Sequence, residues 1–329
     1  MWNVFVSGFI PEDILEPLRR EAVVDLWEGD GPVPGPVLAA RLASCQGWLS
    51  MLTDRIDAEL LAAAPELLVI SQMSVGVDNI DVRACVDRGV VIGHTPDVLT
   101  ETVADTAFAL IAAAVRRLPE AEKIVRAGEW GPWDPWGFLG GDLHGMSLGI
   151  IGMGRIGQAV ARRGRGFDMV VRYTSPSDKA VPGTSRVELD DLLHESSVVL
   201  VCAPLDSGTR GMIGRRELGQ MRNDAILVNI ARGPLVDTEA LVDALSRGTI
   251  GGAALDVTDP EPLPADHALL RFPNCLVVPH IGSASVEARR AMAQLAVDNL
   301  IAALRGEPMP AGLPVDGDRS AGEHHEETS

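Results

Sequence analysis

Leu148-Gly149-Ile150-Ile151-Gly152-Met153-Gly154-Arg155-Ile156-Gly157 carries a short apolar run into three spaced glycines and then into a helical pattern. An apolar strand that enters GxGxxG and leaves as a helix is the fingerprint of a dinucleotide-binding βα unit. Gly152 permits the tight turn, Gly154 lets the backbone approach a pyrophosphate, and Gly157 lets helix and strand pack closely. The helix start at Arg155 and Ile156 adds N–H groups and a partial positive charge suited to phosphate. Gly152, Gly154, Arg155, Ile156 and Gly157 are thus candidate cofactor contacts.

The same alternation of strand and helix continues downstream, with strands expected at 169–173, 198–202, 226–230, 253–257 and 276–278. Upstream it occurs independently. Apolar runs at 4–7, 23–26, 48–52, 67–70 and 90–92 read as strands, and amphipathic stretches at 12–20, 36–42, 58–64 and 82–87 read as helices between them. Such alternation means parallel sheets with helices on both faces. The breaker Gly93-His94-Thr95-Pro96-Asp97 precedes a long Ala-rich helix, capped by Thr100 and running to about Leu118. A last helix from Ser285 to about Arg305 has the length to return to the first domain.

The fold expected is α/β with two doubly wound parallel-sheet domains, a Rossmann-like dinucleotide-binding domain inserted into a flavodoxin-like substrate domain. The substrate domain takes 1–98 and 286–314, the dinucleotide-binding domain takes 99–285, and 315–329 is expected to be a disordered tail. At 329 residues the chain exceeds what one core usually serves, which agrees with two domains.

The net charge of -18 and pI near 4.7 argue against nucleic acid and anionic membrane partners. The apolar stretch 103–115 is too short to span a bilayer and the first ten residues lack a basic region, so a cytoplasmic protein is expected. Cys45, Cys85, Cys202 and Cys275 form no CxxC pair and read as buried apolar thiols, with no metal site. His324 and His325 read as tail residues, and His94, His144, His194 and His267 as structural or solvated.

Dinucleotide folds that prefer NAD usually end the second strand in an acid that meets the ribose hydroxyls. Here the stretch is Tyr173-Thr174-Ser175-Pro176-Ser177, whose hydroxyls can donate to a 2′-phosphate. Arg172 and Lys179, the nearest cations, are not placed to force a phosphate contact. NADP(H) is favoured and NAD(H) stays open.

Arg232, Glu261 and His280 each stand just past the end of one of three successive strands. In a doubly wound sheet those ends line the ligand crevice. Each residue alone reads equally well as a surface ion pair or a loop histidine. Together they suit hydride chemistry on an oxo acid. Arginine offers a planar fork for a carboxylate and its neighbouring carbonyl. Histidine titrates near neutrality and can protonate the forming alkoxide, with glutamate orienting it and raising its pKa.

These residues lie in Gly152–Gly157, Asn229-Ile230-Ala231-Arg232-Gly233-Pro234-Leu235-Val236-Asp237, Leu255-Asp256-Val257 with Glu261-Pro262, and Pro279-His280-Ile281-Gly282-Ser283-Ala284. The combined pattern resembles the D-isomer-specific 2-hydroxyacid dehydrogenases. Within them it is most similar to the glyoxylate/hydroxypyruvate reductases, through Leu255-Asp256-Val257-Thr258 and Glu261-Pro262-Leu263-Pro264 and through the stretch ending Arg305-Gly306-Glu307-Pro308-Met309-Pro310. The resemblance implies NAD(P)H-dependent reduction of a small 2-oxo acid, with Arg232, Glu261 and His280 catalytic and His280 the proton donor. It implies that the N–H groups of Val75 and Gly76 hold the substrate carboxylate and that Ser283 lines the pocket. It also implies that Asp256 meets the nicotinamide carboxamide, that Ile230 contributes its carbonyl, and that Pro204 borders the adenosine. Relatives that favour NADPH often carry an arginine close after the second strand, where this chain has Pro176.

Other small substrates (D-glycerate, D-lactate, phosphite) stay open, as does a nicotinamide-sensing, corepressor-like binding role. Trp130, Trp133 and Trp136 fall within a Pro/Gly loop, where clustered aromatics usually mark an interface or cover a local mini-core. The resemblance implies a homodimer through an arm at about 118–145, with Trp133 approaching the partner's active site.

Overall fold

A computed structural model describes residues 1–314; the expected tail, with His324 and His325, lies outside the described residues. The chain divides into two compact units, Met1–Leu99 with the residues from Ser285 onward, and Thr100–Ala284.

The first unit is a five-stranded parallel sheet. Its strands are β1 (Trp2–Val6), β2 (Ala22–Leu26), β3 (Gly47–Ser50), β4 (Val69–Gln72) and β5 (Val91–Gly93), in the order β2-β1-β3-β4-β5. That is the flavodoxin-like order. Between them run α1 (Glu12–Arg19), α2 (Gly35–Leu42), α3 (Ala58–Ala62) and α4 (Val82–Asp87). The short helices start where an aspartate can satisfy a bare N–H: Asp57 accepts from Leu60 at 3.0 Å and Asp81 from Ala84 at 2.9 Å. β3 and β4 are buried along their whole length, as the central strands of a doubly covered sheet must be.

The second unit opens with α5 (Thr100–Val115) and α6 (Leu118–Arg126). The helix expected to run to about Leu118 is α5, which stops at Val115 before the unexpected α6, and Thr100 is its first helical residue, not a cap ahead of it. Arg117 is left-handed at φ 53° and Pro119 stands in the first turn of α6. Proline cannot donate to the preceding turn and its ring crowds the carbonyl four residues back, so α5 ends there. The unit continues with β6 (Ser147–Ile151), α7 (Arg155–Gly166), β7 (Val170–Thr174), β8 (Thr184–Arg186), α8 (Leu189–Glu195), β9 (Val198–Val201), α9 (Arg215–Gln220), β10 (Ile226–Asn229), α10 (Thr238–Arg247), β11 (Gly252–Leu255) and β12 (Cys275–Val277). Its sheet order is β12-β11-β10-β9-β6-β7-β8 and every pair is parallel. Counted from β6 this is the Rossmann order, with the switch point between β6 and β9. β8 has no apolar alternation in Thr-Ser-Arg and is held by its register with β7, Tyr173 opposite Arg186.

α11 (Val286–Leu304), capped by Ser285 accepting from Ala288 at 3.0 Å, packs against β3 and β4 of the first unit. Its buried Asn299 donates to the His94 carbonyl and accepts from Ala311 N–H, at 3.0 and 2.9 Å. Gly93 must be glycine there, since a Cβ would stand 2.9 Å from the Asn299 side chain. Cys45 and Cys85 are buried as expected, but Cys202 and Cys275 are only half-buried. No helix among the described residues is long and apolar enough to cross a membrane.

Candidate active site

The glycine turn has the geometry its spacing requires. Gly152 sits at φ 99°, and a Cβ there would lie 2.8 Å from the backbone of Cys202 and Ala203. A Cβ on Gly157 would lie 2.3 Å from the Gly152 carbonyl oxygen, so helix and strand touch through bare backbone. At Gly154 a Cβ would meet nothing within 4 Å. Gly154 is the N-cap of α7 and offers no side-chain cap, so the first turn of the helix, at Arg155 and Ile156, carries N–H groups that have no carbonyl within the helix. These residues fit a dinucleotide pyrophosphate.

At the end of β7, the Ser175 hydroxyl donates to the Ser177 carbonyl, and Thr174 closes the strand half-buried. Arg172 is drawn off by Glu195 at 2.8 Å. A cation that reaches this turn comes from β8: Arg186 donates to the carbonyls of Ser175 and Pro176 at 3.1 and 3.3 Å. Local sequence could not reveal it, because the reach depends on the pairing of β7 with β8. Pro204 is exposed just beyond β9, where its carbonyl accepts from the Thr209 hydroxyl at 2.8 Å.

Three turns at the carboxyl ends of β10, β11 and β12 carry Arg232, Glu261 and His280. Buried Asn229 shapes the first of them, donating to the Arg232 carbonyl at 2.8 Å and accepting from Ala231 N–H at 3.0 Å. Ile230 is buried within this turn. A Cβ on Gly233 would lie 1.9 Å from the Thr258 carbonyl oxygen, so the Arg232 and Glu261 turns are packed backbone to backbone.

Glu261 Oε1 is 2.6 Å from His280 Nδ1, and Glu261 Oε2 accepts from Thr258 N–H at 3.3 Å. Burial pushes the Glu261 carboxyl up. The His280 hydrogen bond and charge, the Thr258 N–H and the nearby Arg232 charge outweigh that and hold it below its ordinary value. With Nδ1 committed to the carboxylate, Nε2 is the imidazole nitrogen available to a substrate.

His280 is left-handed at φ 52°, a conformation that a non-glycine residue keeps only when its surroundings impose it. Asp256 imposes it. Its carboxylate accepts from Ile281 N–H at 2.7 Å and Gly282 N–H at 2.9 Å, and its carbonyl accepts from His280 N–H at 2.9 Å. Burial raises the Asp256 carboxyl above its ordinary value despite these donors. Ser283 follows in the same turn, half-buried. A separate concavity of about 540 Å³, lined by Val115, Arg117, Met146, Asp224 and Leu276 among others, lies at the amino ends of these strands and contains none of the expected site residues.

In the first unit, Val75 and Gly76 follow β4 on a turn held from below. Fully buried Gln72 reaches Ser74 Oγ, the Gly76 carbonyl and Asn79 Oδ1 at 2.9, 2.7 and 2.8 Å. Asn79 donates back to Gln72 Oε1 at 2.8 Å and to the Asp54 carbonyl at 2.7 Å. This polar hub beneath the turn has no short-range sequence signal.

Residues 108–282 match the family model for the D-isomer specific 2-hydroxyacid dehydrogenase, NAD binding domain. The chain is 46% identical over 314 residues to the glyoxylate reductase of Korarchaeum cryptofilum, covering 94% of each protein. It is 44% identical over 316 residues to that of Thermococcus kodakarensis, covering 94% of this chain and 95% of the relative. Among solved structures, the TT0316 protein of Thermus thermophilus has a TM-score of 0.91 at 45% identity, with 95% of this chain and 100% of that one covered. The NADPH-dependent glyoxylate/hydroxypyruvate reductase of Sinorhizobium meliloti, solved with NADP and malonate, has a TM-score of 0.84 at 33% identity, covering 95% and 97%. A Rossmann NAD-binding domain with these turns defines an oxidoreductase. The chain belongs to the D-isomer specific 2-hydroxyacid dehydrogenase family.

Proposed function

We propose that this enzyme reduces glyoxylate or hydroxypyruvate to the corresponding 2-hydroxy acid, with NADPH preferred over NADH. The observation that carries the reading is the Glu261–His280 hydrogen bond at the same strand ends as Arg232, in the unit that holds the glycine turn. Relatives at 42–46% identity are glyoxylate reductases, which supports the substrate class.

A nicotinamide dinucleotide held at the glycine turn would supply the hydride that the substrate carbonyl carbon accepts. Arg232 aligns the oxo acid through its planar guanidinium and draws electron density onto the carbonyl oxygen. His280 Nε2 gives its proton to that oxygen as it becomes an alkoxide. Glu261, held ionised, keeps Nδ1–H oriented and stabilises the imidazolium before transfer. Asp256 holds the backbone on which His280 stands, which is the role its bonds to Ile281 and Gly282 support. Ser283 borders the substrate, Ile230 and Pro204 border the cofactor, and the first turn of α7 takes the pyrophosphate. In the first unit, the N–H groups of Val75 and Gly76 are assigned to the substrate carboxylate.

The arm is assigned to a homodimer. Trp130, Trp133 and Trp136 are 77%, 86% and 78% exposed, so no mini-core forms beneath the loop and a second copy is the cover proposed. The four free thiols support a reducing compartment, the cytoplasm.

The test is oxidation of NADPH and of NADH by the purified protein with glyoxylate, hydroxypyruvate, pyruvate and 2-oxoglutarate. Turnover concentrated on the first two, with the higher kcat/KM for NADPH, is the expected result. Equal inactivity on all four would overturn the assignment.

A further inference from the structure

We infer that Arg186, on edge strand β8, is the residue that recognises the 2′-phosphate of NADPH. The inference rests on the dinucleotide reading of the glycine turn. In a Rossmann sheet the carboxyl end of the second strand meets the adenosine ribose, and the residue found there sets the choice between a hydroxyl and a phosphate. In this chain that strand is β7, and no acid stands at its end, where Thr174 and Ser175 are found.

Position 176, where an arginine would serve a 2′-phosphate, is proline. The structure fills the same place from the next strand. Tyr173 pairs with Arg186 across β7 and β8, and the Arg186 side chain runs along the turn until Nε and Nη2 donate to the Ser175 and Pro176 carbonyls. Those bonds fix the guanidinium beside the ribose end while Nη1 has no hydrogen-bond partner among the described residues. The side chain is exposed. A planar fork anchored on one side and open on the other is suited to phosphate oxygens. In a protein of net charge -18, such a cation also supplies local attraction that the overall field lacks.

One group opposes it. Asp178 lies within electrostatic reach of Arg186, and the Tyr173 hydroxyl, the Ala180 N–H and Arg186 hold its carboxyl below the ordinary value, so it is ionised. Its Oδ1 is already engaged by Tyr173 and by Ala180 N–H at 3.0 Å. Arg186 therefore offsets a fixed negative charge as well as binding the phosphate.

The test is calorimetric titration with 2′,5′-ADP and 5′-AMP, alongside KM for NADPH and NADH. Wild type should bind 2′,5′-ADP more tightly than 5′-AMP. Arg186→Ala should weaken 2′,5′-ADP about tenfold to a hundredfold, the range for a charge-assisted bond, and leave 5′-AMP within about twofold. Arg186→Gln keeps a donor at the position of Nε, for the Ser175 carbonyl, so loss of 2′,5′-ADP preference in that variant with 5′-AMP binding unchanged assigns the effect to charge and not to a loosened turn. Asp178→Asn should tighten 2′,5′-ADP. A wild type with no preference between the probes, or an Arg186→Gln protein that retains it, would overturn the proposal while 5′-AMP binding left the dinucleotide reading standing. Failure of wild type to bind either probe or NADH would overturn both.

Discussion

Glu261 Oε1 lies 2.6 Å from His280 Nδ1, and the same carboxylate is braced through Oε2 by the Thr258 N–H. One acid thus joins the turns that follow β11 and β12, and it fixes which imidazole nitrogen faces outward.

This pairing has a pH signature. The Glu261 carboxyl is held below its ordinary value in the folded state, so the folded protein binds that proton less tightly than the unfolded chain. The carboxylate therefore contributes stability above the unfolded glutamate value of about 4.3 and loses it as pH falls through the lower folded value. Glu261→Gln should lower Tm at neutral pH, and the gap to wild type should close only on acidification below that value. A gap that stays constant or widens toward acid would contradict the assignment.

Asp256→Asn should affect both fold and rate. The amide can accept one of the two N–H groups of Ile281 and Gly282 but presents a donor to the other, leaving a buried donor unsatisfied at a cost of about 1–3 kcal/mol. Thermal unfolding should show that loss, and kcat should fall with it because His280 is no longer held in its left-handed conformation. Unchanged kcat beside a lowered Tm would confine Asp256 to stability.

Gln72→Leu removes the hub under the Val75–Gly76 turn. The Gly76 carbonyl then keeps only its bond from the Ser74 hydroxyl, and the Asn79 side chain loses its buried partner, so KM for the oxo acid should rise about fivefold to a hundredfold, the equivalent of one unsatisfied buried group, and kcat should move less. Steady-state kinetics separate the two. A fall in kcat at constant KM would place the turn elsewhere in the reaction.

Replacing Trp130, Trp133 and Trp136 by serine should shift the sedimentation mass from dimer to monomer. A wild-type protein already monomeric at micromolar concentration would refute the interface.

Much of the fold was legible because its signals are local. The 82–87 helix is found at α4, and the glycine spacing marks the turn between β6 and α7. Strand runs identified by apolar content are found within one or two residues of their expected bounds, for example 48–52 against Gly47–Ser50. The positions of Arg232, Glu261 and His280 after three strands were legible for the same reason. What escaped depends on strand pairing, on side-chain geometry, or on a local signal beside a stronger one. β8 exists through backbone pairing with β7, not through side-chain pattern. The break at Arg117 came from Pro119, a signal that was present but hidden by the strong Ala-rich periodicity on its near side. The reach of Arg186, the Gln72–Asn79 hub and the clasp of Asp256 on Ile281 and Gly282 are side-chain geometry, which residue spacing does not encode.

The most direct test of the account is His280→Ala assayed with glyoxylate and NADPH, beside a cofactor titration of the same protein. The expected kcat is lower by roughly 10²–10⁴-fold, the usual worth of a general acid, with NADPH affinity close to wild type. Near-normal turnover in that variant would contradict the proposed proton donor.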